Sequence, residues 1–438
     1  MQINRIRVFL TVLLVLFFCG NSFITSAQET DALGTYTPYS LYGIGEISKQ
    51  GTAVNRGMGG IGTAVRDNRF INYMNPASIT ARDTLAFMLD FGVDSKNIYS
   101  SDGNNKSAFN TVNVNNFVFT APIYKKSALI VGVNPYSNIG YKLESTENDP
   151  HLVSKYGDIK YQKYGTGSIN QLFVGAAMNF FKNFSIGAEY IYYFGALNRC
   201  SNVNFNTDAS LRSLQTGFDY ALGTSSGRVG LQYFGKVNKA KDVELTLGAT
   251  YRFAAKLKGD LTEFAYAKGA AVDTIIHDAY ENFNANIPQE ISFGFSVRKK
   301  DKWMFGADYM RQDWTGEYFE NALSKDFKYE ATASSYYKAG FEFTPNKYDI
   351  RYYMKRVTYR VGAYYEQSYL KIGGNQINAA GVTVGMSLPI HKMSNAVNIA
   401  LDLGQKGSTK NNLIRERYIK FILNVSLYDI WFIKYKYM

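Results

Sequence analysis

Cysteine is nearly absent from the 438-residue chain: Cys19 and Cys200 are the whole supply. Cys19 falls in an N-terminal stretch expected to be removed, so a single thiol remains and no intramolecular disulfide can form. Histidine is as scarce, with His151, His277 and His391 far apart and each expected in a loop or turn. No nucleophile is marked beside them, and no pair of His, Cys or acidic residues repeats with ligand spacing. Catalysis, a bound metal and a cofactor are therefore not expected. Also missing, beyond the first residues, is any apolar run of transmembrane-helix length. A membrane span has to be made of strands.

The N-terminus reads as an export signal. Arg5 and Arg7 precede an apolar run from Val8 to Cys19, too short to cross a bilayer, and Thr25-Ser26-Ala27 offers small residues for cleavage. Phe18 is bulky where a lipoprotein signal wants a small residue, so residues 1–27 are expected to leave as a signal peptide rather than to carry lipid.

What the chain does have is alternation. Val243, Leu245, Leu247, Ala249, Tyr251, Phe253, Ala255 and Leu257 share one parity; Glu244, Thr246, Gly248, Thr250, Arg252, Lys256 and Lys258 share the other. A strand sends successive side chains to opposite faces, so the spacing predicts one apolar and one polar face over an unusually long strand. Lipid outside and water inside a barrel account for both faces. The mean hydropathy is only −0.22, yet 35 Tyr and 30 Phe are present, as expected when half of each strand is polar and aromatic rings gather at the membrane interfaces.

The fold class expected is all-β, a transmembrane antiparallel barrel of about fourteen strands spanning 84–438. Its segments lie near 84–100, 109–121, 127–142, 160–180, 184–199, 224–237, 242–262, 288–298, 302–316, 334–345, 355–367, 377–390, 395–406 and 416–436. Alternate connections are short and basic (Lys125-Lys126, Lys182-Asn183, 238–241, 299–302, 391–394). The others (143–159, 200–223, 263–287, 317–333) read as long polar loops. Short turns inside and long loops outside put both barrel ends at the periplasm of an outer membrane. The formal charge of +12 falls by two when Arg5 and Arg7 leave. In an exported chain that excess faces outer-membrane lipid headgroups or solvent rather than nucleic acid.

Residues 28–83 do not alternate. They are rich in Gly, Tyr, Asn and Ser, with scattered apolar residues (Met58, Ile61, Val65, Phe70, Ile71), and precede the first strand at the periplasmic mouth. A barrel of this size has a lumen to fill, so the segment is expected to be an internal hatch; the alternative is a disordered tail. Gly57-Met-Gly59-Gly60-Ile-Gly62 formally matches a dinucleotide-binding glycine pattern, but the strand, helix and parallel sheet that motif needs are missing. The glycines are better read as letting the backbone turn tightly and pass close to the barrel wall.

With the following Asp67 and Tyr73-Met-Asn75-Pro76-Ala77-Ser78, this run resembles the hatch of the FadL family, outer-membrane transport proteins for long-chain fatty acids and other hydrophobic compounds. The resemblance continues through Ile287 to Gly294, Asp301-Lys-Trp303, Gly306-Ala-Asp308-Tyr309, Tyr359 to Tyr364, Gly381 to Gly385 and Leu388-Pro389-Ile390. It covers nearly the whole chain after the signal; Ser78, where the family often has Gly, and the extended Tyr36–Gly45 lead-in depart from it. It implies a hatch-plugged barrel in which Gly57, Gly59, Gly60, Gly62, Asp67, Asn75, Pro76 and Ala77 line the ligand path. It also implies a lateral opening beside a kinked third strand, where Gly132, Asn134 and Pro135 stand. Proline cannot donate to a sheet ladder, so Pro135 independently predicts a bulge or break there.

Two functions fit. One is passive uptake of fatty-acid-like hydrophobic small molecules, with aromatic loops (Phe264, Tyr266, Tyr280, Phe283; Tyr318, Phe319, Phe327) capturing the ligand. The alternative is a non-catalytic partner subunit of a larger outer-membrane secretion or assembly complex, with protein partners at loops 200–223 and 263–287.

Overall fold

The structure, a computed structural model, describes residues 34–124, 126–205, 211–238, 240, 242–269, 271–316, 329–391 and 395–430. The signal peptide expected at 1–27, and Tyr318, Phe319 and Phe327, lie outside these residues.

Fourteen wall strands follow one another in sequence. They are β1 (Ala86–Ser101), β2 (Lys106–Tyr124), β3 (Ser127–Thr146), β4 (Ile159–Phe180), β5 (Phe184–Phe205), β6 (Ser213–Asn238) and β7 (Val243–Arg252 with Ala255–Lys268). Then come β8 (Val272–Ile287 with Glu290–Lys299), β9 (Trp303–Asp313), β10 (Tyr329–Ala331 with Ala333–Phe343), β11 (Thr358–Ile372), β12 (Asn375–His391), β13 (Asn395–Lys406) and β14 (Arg415–Ile430). Each pairs antiparallel with the next, and β14 returns to β1 from Arg415↔Ser101 to Ile430↔Ala86, closing the barrel. Closure removes the sheet edges, the condition for strands to cross lipid.

The two faces follow from the alternation. In β11, Thr358, Arg360, Gly362 and Tyr364 point inward and are buried, while Val361 and Tyr365 point out. Leu247, Phe293, Phe305, Phe341, Val382, Leu403 and Phe421 continue an outward apolar belt around the wall.

Three expectations need correction. The face through Val243–Leu257 is not continuous. Arg228 pairs with Arg252 but Gly223 with Lys258, so β7 carries one extra residue near Phe253. A one-residue slip exchanges the faces: Ala255 and Leu257 are buried while Lys256 and Lys258 are exposed. Second, 200–205, 213–223, 263–268 and 272–287 stand in strands rather than loops. Pairing runs on to Val203↔Leu214 between β5 and β6, and to Val272↔Lys268 between β7 and β8. Phe264, Tyr266, Tyr280, Phe283 and His277 therefore stand in paired strands. There the inner face stays buried, at Leu197, Tyr220, Leu222 and Phe264, while outward positions such as Asp219 turn polar, so the outward apolar mark stops before the strands do. Third, His391 ends β12 rather than standing in a turn.

Candidate functional site

Residues 34–85 form little regular structure: short 3-10 turns at Pro38–Leu41 and Pro76–Ala81, one helical turn at Ala53–Arg56, and a two-residue pairing of Glu46–Ile47 with Asn138 and Ser137 of β3. Almost all of 51–65 is buried. Hydrogen bonds from this segment reach all fourteen wall strands.

The glycine run makes the tightest passage. Gly59 and Gly60 have φ of +69° and +83°, a region that L side chains rarely adopt. A Cβ on Gly59 would stand 2.6 Å from the carbonyl oxygens of Ala339 and Ala363. The wall answers with glycines of its own, at inward positions the sequence reading did not single out as contacts. A Cβ on Gly362 would meet the Gly59 nitrogen at 2.1 Å, one on Gly340 the Met58 oxygen at 2.4 Å, and one on Gly248 the Thr63 oxygen at 2.1 Å. Gly385 faces Gly57, and Gly230 and Gly187 receive Asn75-Pro76-Ala77. The segment thus lies in a track of missing side chains.

Polar groups fix its register. The Gly59 N–H donates to Thr383 Oγ1 at 2.8 Å, and the Gly62 and Thr63 N–H groups both donate to Asp308 Oδ2, at 2.6 and 2.8 Å. The Asn75 side chain caps the 3-10 turn by accepting from the Ala77 N–H at 3.0 Å and donates to the Thr63 carbonyl at 2.7 Å; Pro76 occupies the first position, where no N–H is needed. Gly62 itself makes room for the Met74 side chain.

Asp67 anchors a charge cluster at the short-turn end. It pairs with Arg69 at 2.6 Å and Arg298 at 2.8 Å; Glu342 pairs with Arg69 at 2.6 Å and Arg360 at 2.8 Å. Burial alone would raise the Asp67 carboxyl, but the two guanidinium groups outweigh it and hold the group well below the usual carboxylate range. Deeper in, Lys49 and Arg56 face Asp402 at 3.1 and 3.8 Å, and Lys96 pairs with Glu46 at 2.8 Å.

At the third strand, Pro135 sits at a bulge: it pairs with Asn170, and Ser137 with Ile169. The β2–β3 ladder runs from Tyr124↔Ser127 to Phe117↔Val133 and, among the described residues, goes no further. Beyond that point β3 turns to the N-terminal segment, where Ser48 N–H donates to the Tyr136 carbonyl at 2.8 Å. Amides dominate this place. Asn134 donates to Gln50, Asn113 to the Gly34 carbonyl at 2.7 Å, and Asn115 to the Gly51 carbonyl at 3.2 Å. Gly132 leaves room for the Phe173 ring.

Deep inside lie cavities of about 70 Å³ each, lined by Lys49, Arg56, Glu366 and Asp402 together with Lys96 and Glu46 in one and Arg228, Arg252 and Glu290 in another. A larger one of about 390 Å³ opens at the short-turn end among Arg66, Asp67, Arg69, Arg298 and Glu342. Among the described residues no group of three or more His, Cys, Asp or Glu is arranged to hold a metal ion.

The closed fourteen-stranded antiparallel barrel is a FadL-like fold. The solved structures similar to it include the toluene transporter TodX of Pseudomonas putida (TM-score 0.57, 16% identity, covering 87% of this chain and 99% of that one). A FadL homologue of Pseudomonas aeruginosa matches with TM-score 0.56 at 13% identity over 88% and 100%, and the Ralstonia pickettii toluene transporter TbuX with 0.53 at 16% over 86% and 98%. Such identities establish the fold alone. No curated protein matches in sequence. The model of the BamG family matches residues 6–438, and the chain belongs to that family.

Proposed function

We propose that this protein is a sealed, non-catalytic barrel subunit of an outer-membrane assembly complex, rather than a channel for hydrophobic small molecules. The observation that carries this reading is the filled lumen: hydrogen bonds tie residues 34–85, as an internal hatch, to every wall strand. The two cavities deep in the lumen, about 70 Å³ each, fall far below the roughly 300–1,000 Å³ of small-molecule pockets, and the larger space of about 390 Å³ at the short-turn end is walled by the ions of Asp67, Arg69, Arg298 and Glu342. Their walls carry buried ions, and driving an apolar ligand past them would separate charge pairs in a low-dielectric interior. The family name points the same way.

The uptake reading rests on the ended β2–β3 ladder and the Pro135 bulge, which leave a gap in the wall where a ligand would leave sideways. That gap is edged by Asn113, Asn115 and Asn134, whose amides are spent on Gly34, Gly51 and Gln50 of the hatch. An apolar ligand would have to break those bonds and replace none.

The experiment is native mass spectrometry of the tagged protein, extracted from its own outer membrane in mild detergent. The subunit reading expects stoichiometric protein partners. A lone chain carrying lipid-like mass that survives purification, with lost hydrophobe uptake in a null strain, would overturn it.

A further inference from the structure

At the end of the barrel where the other connections are short turns, residues 344–357 between β10 and β11 form a longer loop. Internal hydrogen bonds hold it in one shape: the Asn346 N–H donates to the Lys355 carbonyl at 2.8 Å, the Tyr352 N–H to Asp349 at 2.6 Å, and the Tyr348 N–H to Asn346 at 3.2 Å. This built loop displays apolar side chains to solvent. Ile350 is 99% exposed, and Tyr352, Tyr353 and Met354 are exposed beside it.

Its position says what covers them. The Tyr353 hydroxyl donates to the Pro389 carbonyl at 3.1 Å, and the outward-facing Tyr359 donates to the Met354 carbonyl at 3.2 Å. The apolar tip is therefore continuous with the lipid-facing belt through Tyr359, Val361 and the exposed Ile390. Cations stand among the rings: Arg351 lies 5.3 Å from the Tyr352 ring centre, Lys355 4.6 Å from the same ring, and Arg356 5.1 Å from that of Tyr353. The Arg356 Nε is buried with no hydrogen-bond partner. Asp349, paired with Lys355 at 3.5 Å, is the loop's single acid against Lys347, Arg351, Lys355 and Arg356.

We propose that loop 344–357 is a binding site for anionic phospholipid of the periplasmic leaflet. Ile350, Tyr352, Tyr353 and Met354 enter the headgroup–acyl boundary, and Arg351 and Arg356 take the phosphodiester. Aromatic rings with one polar end settle at that depth, and basic residues beside an anionic leaflet each strengthen attachment about fivefold. The site rests on the barrel spanning the membrane but is independent of whether it transports or assembles.

The test places the full barrel in nanodiscs of phosphatidylethanolamine with a minor share of phosphatidylglycerol, and counts lipids retained on release by native mass spectrometry. The expected result is phosphatidylglycerol enriched over its bulk share. In R351Q/R356Q that enrichment falls by more than tenfold, and in K142Q/K160Q, which removes the same charge from β3 and β4 near the opposite end, it is unchanged. No enrichment, or equal loss in both variants, overturns the proposal. Displacement of the bound lipid by millimolar inorganic phosphate also overturns it, making the pair a free-phosphate site. Resistance of the barrel to unfolding in detergent, read in parallel, separates failure of this site from failure of the barrel itself.

Discussion

Replacing Gly362 by Ala tests the docking of the hatch with one methyl group. The added Cβ would lie 2.1 Å from the Gly59 nitrogen and 2.2 Å from the Met58 carbonyl carbon. Both are backbone atoms, with no rotamer to turn away. Restoring ordinary contact requires the hatch to retreat by about 1 Å or more, which no well-packed interior absorbs without cost. That retreat stretches the Gly59–Thr383 bond of 2.8 Å and strains the paired bonds from Gly62 and Thr63 to Asp308. A hydrogen bond to a charged acceptor contributes about 1.5–3 kcal/mol, so weakening this set should cost roughly 2–4 kcal/mol of hatch docking. The wall ladders through Gly362 are backbone pairings and stay intact. Hydrogen exchange by mass spectrometry is the assay: protection over 57–64 should fall by roughly 30-fold or more, while peptides from the wall strands are unchanged. Gly227→Ala is the control, because its Cβ would find its nearest neighbour, Phe253, at an ordinary 3.4 Å. Protection over 57–64 that is the same in G362A as in the parent would refute the close-approach argument.

Asp308→Ala leaves the Gly62 and Thr63 N–H groups without their acceptor and should expose that stretch to exchange by a similar factor, again without opening the wall. Asp67 supplies a pH dependence whose sign is fixed: its carboxyl titrates below the ordinary 3.8, so its contribution is complete above about pH 5 and is lost as pH falls below 4. Proteolysis of the hatch should therefore rise on acidification, and Asp67→Asn should already be susceptible at pH 7 because it leaves Arg69 and Arg298 short of a counter-charge. Leu403→Arg, on the outward face of β13, should lower barrel stability in bilayers by about 2–4 kcal/mol. A neutral result in a denaturant titration would mean that this face does not meet lipid.

The strand order was legible because lipid on one side and a polar interior on the other write a two-residue period into each wall strand. All fourteen segments were found in sequence, down to the turns at Lys182-Asn183 and Lys299–Lys302. The period fails where its cause fails. In β5 beyond Phe194, in β6 before Thr224, in β7 from Leu261 to Lys268 and in β8 from Val272 to Tyr280, the inner face stays buried at Leu197, Tyr220, Leu222 and Phe264 while outward positions such as Asp219 turn polar, so the outward apolar mark that identified the strands is gone. Nor can alternation register the extra residue near Phe253, since the bulge exchanges the faces while the letters keep alternating. At the hatch, the glycine run and Asn75-Pro76-Ala77 declared tight backbone. Their partners did not: Gly248, Gly340 and Gly362 are ordinary barrel glycines until the chain has closed and placed residues from 57 to 63 against them. The charge cluster around Asp67 was equally hidden, because Arg298, Glu342 and Arg360 come from three different strands.

Planar-bilayer conductance of the purified barrel is the most direct measurement of the central claim that the hatch seals the lumen. Full-length protein should show no stable conductance at neutral pH, while a variant lacking residues 34–81 should assemble and give steady, salt-proportional current through the emptied lumen. Steady current from the full-length barrel, or the same silence from the deleted one when it is folded, would contradict the account.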